Sequence, residues 1–305
     1  MTAVTALADA SAGWSWNPVD DLRQMWAYPF MVNAFRAGTI TAVASAVMGW
    51  FMVLRRQSFA GHTLAVVGFP GAAGAVLAGA SAACGYFVFC VAAALVIAAV
   101  PRTGRDAGAQ EAALTGTVQA FLLACGFLFT ALYKGLLGGV TSMLFGSFLG
   151  ITTGQVRVLL AVAAAVLVAL AALGRPLLFA SVDPDVAAAR GVPVRLLSTG
   201  FLVLLGAAAA EASQITGTLL VFALLVMPAA TAQTLTARPV RSLALSVAIA
   251  VAVTWLGLTT AYYSDYPLGF FVTTYAFAAY VLARLARLAA GRLPRRALLP
   301  AAGAA

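Results

Sequence analysis

Long apolar stretches alternate with short segments rich in arginine, glycine and proline from about residue 31 to residue 290. A helix needs about 20 apolar residues to cross the hydrocarbon core of a bilayer, and nine stretches approach that length. We predict membrane spans over 31–54, 62–81, 84–100, 111–133, 156–173, 196–213, 215–235, 242–263 and 269–289. Because small side chains let helices approach closely in lipid, the run FPGAAGAVLAGA at 69–80 is expected to face other helices. The pattern predicts an all-α, polytopic membrane helical bundle of about nine transmembrane helices, with one transmembrane domain at 31–290.

The composition indicates that a lipid bilayer surrounds this chain. Hydrophobic residues make up 63% of the 305 residues, charged residues make up 9%, and the mean hydropathy is +0.99. Soluble domains carry about 25% charged residues, so a water-soluble fold could not hide this much apolar surface. The net charge of +9 does not indicate nucleic-acid binding, because the basic residues stand at the ends of apolar stretches and form no single basic face.

The basic residues are divided unequally between the two sets of predicted loops. Fourteen of the 18 end or follow the first, third, fifth, seventh and ninth spans, and the positive-inside rule makes that side cytoplasmic. We therefore predict an extracytoplasmic N-terminal arm at 1–30, an N-terminus outside, and a basic cytoplasmic tail at 291–305. The Gly-rich segment 135–155 is short of a full crossing and is either a re-entrant element or a loop among the headgroups.

The longest predicted cytoplasmic connection, residues 174–195, contains signals for a short helix of its own. Ser181 or Asp183 can cap its start, and Pro184 occupies the favoured first helical position. Asp185 adds negative charge to the first turn, where the helix dipole favours it. The sequence therefore predicts a helix of about two turns outside the bilayer.

The end of this predicted helix is equally well marked. Ala187 belongs to a helix-forming run, Arg190 falls in the last turn, and Gly191 is placed to end the helix. Two interpretations follow from local physics alone. The segment is either a simple linker between spans or a rigid element that docks onto a cytoplasmic partner and transmits motion into the adjacent spans.

Four stretches of the chain resemble one known family. The run VDPDVAAARGV at 182–192 resembles the cytoplasmic loop of permease subunits of the zinc/manganese family of ABC importers. The segment 212–236, with its core GTLLVFALLVMPAATA, is more specifically similar to that family, and 51–71 and 262–272 fit it in order and spacing. The resemblance covers about residue 31 to residue 290.

This resemblance implies a fold, a function and partners. It implies the metal ABC importer permease fold, in which two copies pair as a homodimer around a central path in the bacterial cell membrane. Each copy would dock one ABC ATP-binding subunit at residues 183–191, and an extracytoplasmic metal-binding lipoprotein would deliver zinc, manganese or iron. The chain has no phosphate-binding loop of the form GxxxxGK[ST], so we expect no enzymatic activity and no cofactor in this subunit.

Ionisable residues at membrane depth are costly and are the first candidates for an ion path. His62, Glu211 and Asp265 are therefore predicted path or gate residues, and His62 and Glu211 are candidate metal ligands. Pro228 breaks the helical pattern of its span and is a candidate hinge for opening.

Each candidate also has an ordinary structural interpretation. His62 could cap the start of its span, Asp265 could be a turn residue, and Pro228 could be a packing kink. In that case neighbours such as Thr231 would satisfy the carbonyl that the proline leaves free.

Glu211 is harder to explain in this way, because its surroundings are apolar. The partners open to it are Ser213, Gln214 and an arginine such as Arg157.

One departure from the family leaves the transported ion open. Permeases of the family read Gly-Asp-x-x-Ser-His or similar at the start of the second span, where this chain has His62 in the aspartate position and an apolar Ala65–Val66 pair. The alternative function is a stand-alone ion-coupled secondary transporter, which normally carries carboxylates within its spans. This chain has almost none there, which favours the ABC permease.

Overall fold

The computed structural model describes residues 18–99, 107–133, 144, 146, 150–264 and 266–292. Every extended regular element in these ranges is an α-helix, in agreement with the predicted fold class. The helices are α1 (Pro18–Ala27), α2 (Pro29–Leu54), α3 (Ser58–Leu77), α4 (Ala82–Ala99), α5 (Ala107–Leu132), α6 (Thr153–Val182), α7 (Pro184–Ala189), α8 (Val194–Thr216), α9 (Thr218–Leu235), α10 (Pro239–Tyr262) and α11 (Leu268–Arg292).

Eight of these helices are long and apolar enough to cross a membrane, counted over the described residues. The seventh predicted span coincides with α9, whose apolar part, Leu220–Leu235, is shorter than a typical span. At 1.5 Å per residue an 18-residue helix such as α9 is about 27 Å long, slightly less than the hydrocarbon core. The count of nine spans and the sidedness of the termini stay predictions.

Two helices do not follow the predicted boundaries. The predicted arm 1–30 already contains α1, and Met25 of this helix is 2% exposed because it packs into a core cluster with α2, α9, α10 and α11. The helix α6 starts earlier than predicted, since Thr152 and Gln155 form a capping box at its start, and it also ends later, at Val182. The segment 135–155 lies largely outside the described residues, and so do residues 1–17 and most of the tail 291–305.

The helices α2, α3, α8 and α9 form the centre of the bundle. They supply most of the main core cluster, whereas only a small share of the residues of α5, α6 and α11 is buried inside the bundle. The predicted inward run at 69–80 is buried from Phe69 to Ala73, as expected, and becomes exposed from Leu77 onward.

Close backbone contacts hold the centre together. The helices α3 and α4 cross at Gly71 and Gly85, where a Cβ atom on either residue would overlap the carbonyl oxygen of the other. Such contacts are a general means of helix association in lipid, because small residues allow extensive van der Waals packing.

Polar side chains add a second set of links between distant helices. The indole Nε1 of Trp50 donates to Ser242 Oγ at 3.0 Å, and Gln233 Nε2 donates to the Trp50 carbonyl at 2.9 Å. These bonds join α2 to α10 and to α9, and they satisfy polar groups that would be costly to leave unpaired in a bilayer.

Candidate coupling helix and translocation path

The predicted short helix between the fifth and sixth spans is present as α7, and its start is capped by Asp183. The Asp183 Oδ1 atom accepts a hydrogen bond from the Val186 backbone N–H at 3.0 Å, and Pro184 occupies the first helical position. Of the two candidate caps, Ser181 is therefore not used, since its hydroxyl donates to the Leu177 carbonyl at 2.5 Å.

The end of α7 is a Schellman motif, the hydrogen-bond pattern that commonly terminates a helix at glycine. The Gly191 N–H donates to the Ala188 carbonyl and the Val192 N–H donates to the Ala187 carbonyl, both at 3.0 Å. Gly191 has φ +81°, a left-handed conformation that residues with a Cβ atom adopt only with strain. Arg190 lies at the C-cap and is exposed.

The short helix is anchored to the bundle through one face. Ala187 is 0% exposed and belongs to the main core cluster. Asp183, Pro184 and Asp185 are exposed, and the apolar side chain of Val186 is 44% exposed. The arrangement produces a helix that is fixed at both ends and at its base while most of its surface is open to a partner.

Arg55 lies beside this helix and connects three helix ends. It follows the last residue of α2, and its Nη1 donates to Ser181 Oγ at 3.1 Å while its Nη2 donates to Ser198 Oγ at 2.6 Å. Ser181 is in the last turn of α6 and Ser198 is near the start of α8. From the sequence, Arg55 is identifiable only as a topology signal, because nothing local to residue 55 identifies partners 126 and 143 positions away.

Glu211 lines a cavity in the described part of the bundle. The residue is 2% exposed, and neither carboxylate oxygen has a hydrogen-bond partner among the described residues. The cavity has a volume of about 680 Å³ and lies between α4, α6 and α8. Its other polar lining comes from Thr152, Gln155 and Gln214, while most of the remaining lining is apolar.

The pairings expected for Glu211 are not formed. Ser213 donates to the Ala209 carbonyl at 2.7 Å, and Gln214 donates to the Ala210 carbonyl at 3.4 Å. Both side chains bond within their own helix, because a carbonyl four residues earlier is always within reach of a short polar side chain. The buried carboxylate is thus left without a hydrogen-bond partner among the described residues, on a residue that lines the cavity.

His62 lies inside its helix and does not cap it. The helix α3 begins at Ser58, after Gln57 at the N-cap, which corrects the interpretation of His62 as a capping residue. Its imidazole packs edge-to-face against Phe222 with ring centroids 4.7 Å apart, and its Nδ1 is buried without a hydrogen-bond partner among the described residues. The lining of the Glu211 cavity does not include His62, so the structure does not unite these two candidate ligands there.

Pro228 is buried within α9 and does not end the helix. The Thr231 hydroxyl donates to the Met227 carbonyl at 2.7 Å, so it does not satisfy the Leu224 carbonyl that the proline ring leaves free. The fourth candidate, Asp265, lies outside the described residues. No group of three or more His, Cys, Asp or Glu side chains with metal-binding geometry occurs in the part of the chain that the structure describes.

Comparison with known proteins shows which family this helical bundle belongs to. The model of the ABC 3 transport family matches residues 27–287. The chain belongs to this family. The resemblance to this family that was predicted from the sequence is confirmed. The prediction of a multi-pass membrane subunit of an ABC-type transport system is also confirmed. The comparisons give no support to a stand-alone transporter.

Individual members of the ABC 3 transport family are similar over most of the chain. The chelated iron transport system membrane protein YfeC of Yersinia pestis is 30% identical over 253 residues, which are 83% of this chain and 85% of that protein. The manganese transport system membrane protein MntC of Halalkalibacterium halodurans is 29% identical over 215 residues, 70% of this chain and 73% of that protein. The solved structure of PsaBC from Streptococcus pneumoniae in complex with Fab has the same fold, with a TM-score of 0.77, 24% identity, and coverage of 87% of this chain and 94% of that chain.

Proposed function

We propose that this chain is the permease subunit of an ABC importer for a divalent transition metal. The family match over residues 27–287 carries the proposal, and the relatives named above have manganese or iron in their names. Manganese and iron are therefore the first candidate substrates, and zinc is the third. An extracytoplasmic binding lipoprotein would deliver the ion, and a separate subunit would hydrolyse ATP.

The ATP-binding subunit is proposed to dock on residues 183–191. The support is the construction of α7: caps at both ends restrict its motion, Ala187 fixes it to the core, and the rest of its surface is exposed. A helix held this firmly can pass a displacement to α6 and α8, which flank it directly in the chain. A flexible linker would absorb the same displacement.

Co-purification tests this docking site. We expect Asp183→Arg and Gly191→Trp to release the ATP-binding subunit from the detergent-solubilised complex. The matched control is Gly79→Trp, because Gly79 also has positive φ and open space around it but lies in the turn between α3 and α4. Retention of the ATP-binding subunit by both α7 variants would show that it docks elsewhere.

Uptake into proteoliposomes tests the transport function. The complex is reconstituted with its binding protein, and uptake of manganese, iron and zinc is measured with ATP and with a non-hydrolysable analogue. We expect uptake that requires hydrolysis and that prefers one of these ions. Uptake by the permease alone, without nucleotide, would establish the stand-alone transporter instead.

Glu211 is proposed to line the ion path. Its support is a buried carboxylate without a hydrogen-bond partner among the described residues, on a residue that lines a cavity of about 680 Å³. Weak and transient contacts suffice for conduction, so a complete ligand set is not required at such a point. His62 and Asp265 stay candidates for other points of the path, and Pro228 stays a candidate hinge.

Two copies of the permease are proposed to pair in the membrane. The support is the surface of α6, which carries exposed Val158 and Val168 and also walls the Glu211 cavity. Pairing through this face would bring two such cavities toward a common axis. The native mass of the complex measures this directly, with two permeases and two ATP-binding subunits as the expected result and one of each as the contradicting one.

A further inference from the structure

The guanidinium group of Arg55 is held on its edges and on one face. Besides the two serine hydroxyls, its Nε donates to Gln57 Oε1 at 3.2 Å, and its central carbon lies 5.4 Å from the centroid of the Phe201 ring. Phe201 is fully buried in the main core cluster. Edge hydrogen bonds and a cation–π contact together fix both the position and the plane of the group.

The two serines that Arg55 binds lie on either side of α7 in the chain. Ser181 precedes the N-cap residue Asp183 by two positions, and Ser198 lies seven positions after Gly191. A displacement of α7 must therefore reach Ser181 through the last turn of α6, and Ser198 through the first turns of α8. Both routes end on the same side chain, since Nη1 and Nη2 of Arg55 each bind one of these hydroxyls.

The helix α2, which Arg55 directly follows, runs through the centre of the bundle. Six residues before Arg55, Gly49 packs directly against the backbone of Leu225 in α9, so tightly that a Cβ atom would overlap the Leu225 carbonyl oxygen. Leu225 is three residues from Pro228, where the hydrogen-bond ladder of α9 is interrupted. The helix α2 thus joins the helix ends next to α7 to a part of α9 in which one backbone hydrogen bond is missing.

We propose that Arg55 is a positioning residue that couples movement of α7 to α2 and through it to α9. This inference rests on the proposed docking of an ATP-binding subunit at α7. The proposed coupling requires the planar guanidinium with its two terminal NH2 groups, because these bind two separate hydroxyls at once in a fixed geometry. A lysine ammonium is a point charge that does not bridge the two hydroxyls in the same way. Arg55 then affects how much transport follows from each hydrolysis event, and not whether the partner binds.

Two variants remove the bridge in different ways. Arg55→Lys keeps the positive charge and hence the topology signal, but loses the planar guanidinium. The double variant Ser181→Ala/Ser198→Ala keeps Arg55 and removes both hydroxyls. The matched control is Arg56→Lys, because Arg56 is the neighbouring basic residue at the same end of α2 and its side chain is exposed.

Three quantities are measured on the reconstituted complex: the amount of ATP-binding subunit retained, the rate of ATP hydrolysis, and the metal taken up per ATP hydrolysed. For both bridge variants we expect unchanged retention and hydrolysis, with uptake per ATP lower by about tenfold. Arg56→Lys is expected to leave all three unchanged. Combining Arg55→Lys with the serine double variant is expected to add no further loss, since both remove the same bridge.

Two results overturn the inference. If uptake per ATP is unchanged in both bridge variants, Arg55 does not couple the helices. If the bridge variants release the ATP-binding subunit, or if the loss of uptake is accounted for by a lower thermal stability of the permease, the role of Arg55 is only structural. Failure of the proposed function looks different, because the unmodified permease then retains no ATP-binding subunit at all.

Discussion

Gly49 of α2 lies directly against the backbone of Leu225 in α9, and a Cβ atom on Gly49 would also come within 2.7 Å of the Leu225 carbonyl carbon. Backbone atoms cannot move aside as a flexible side chain can. We therefore expect Gly49→Ala to separate the two helices and to lower the free energy of unfolding by about 2 kcal/mol or more. Thermal denaturation in detergent measures this.

The control for that prediction is Gly174→Ala in α6. A Cβ atom there meets no other atom within 4 Å, and alanine favours a helix interior over glycine by about 1 kcal/mol. We expect its melting temperature to stay the same or to rise. Equal behaviour of the two variants would mean that α2 and α9 do not pack as closely as described.

The cap of α7 provides a milder test of docking than a bulky substitution. Asp183→Ala removes the side-chain bond to the Val186 N–H and should destabilise the short helix by about 1 kcal/mol. Binding of the ATP-binding subunit should weaken accordingly, because part of the binding free energy is then spent on ordering α7. Titration of the ATP-binding subunit onto immobilised permease measures the change.

Asp185→Ala is the matched control for the cap. Asp185 is an exposed carboxylate in the first turn of the same helix. The hydrogen bond to the Val186 N–H that caps the helix comes from Asp183. We expect a smaller loss of affinity, limited to the interaction with the helix dipole. A larger effect of Asp185→Ala would show that direct contacts of α7 matter more than its order.

The Glu211 carboxylate allows stability and transport to be separated. Burial without a hydrogen-bond partner among the described residues is costly for a carboxyl group. We therefore expect Glu211→Gln to keep or slightly raise the melting temperature while it lowers ATP-dependent metal uptake. Full uptake by Glu211→Gln would remove this residue from the path.

The predicted orientation can be tested with the native cysteines. Cys84 is exposed near the start of α4, on the side predicted to be extracytoplasmic, whereas Cys90 is fully buried and donates to the Leu64 carbonyl. We expect a membrane-impermeant maleimide to label intact cells at Cys84, and labelling to disappear in Cys84→Ser. Labelling that requires broken cells would reverse the orientation.

Much of the architecture follows from the sequence, because the bilayer imposes it. A helix must present about 20 apolar residues to cross the hydrocarbon core, so hydropathy alone locates most helices from α2 to α11. The helix α7 is equally local: the signals at Asp183, Pro184 and Gly191 act within a few residues and do not depend on distant parts of the chain.

The tertiary structure alone decided which residues meet. Arg55 is separated from Ser181 and Ser198 by 126 and 143 positions, and Gly49 is separated from Leu225 by 176 positions. Such contacts depend on the crossing angles and rotations of whole helices, which the hydrophobic pattern leaves open because nearly every face of these helices is apolar. For the same reason the sequence could single out Glu211 as unusual. Only the packing of α4, α6 and α8 placed this residue at a cavity, without the hydrogen-bond partners expected for it.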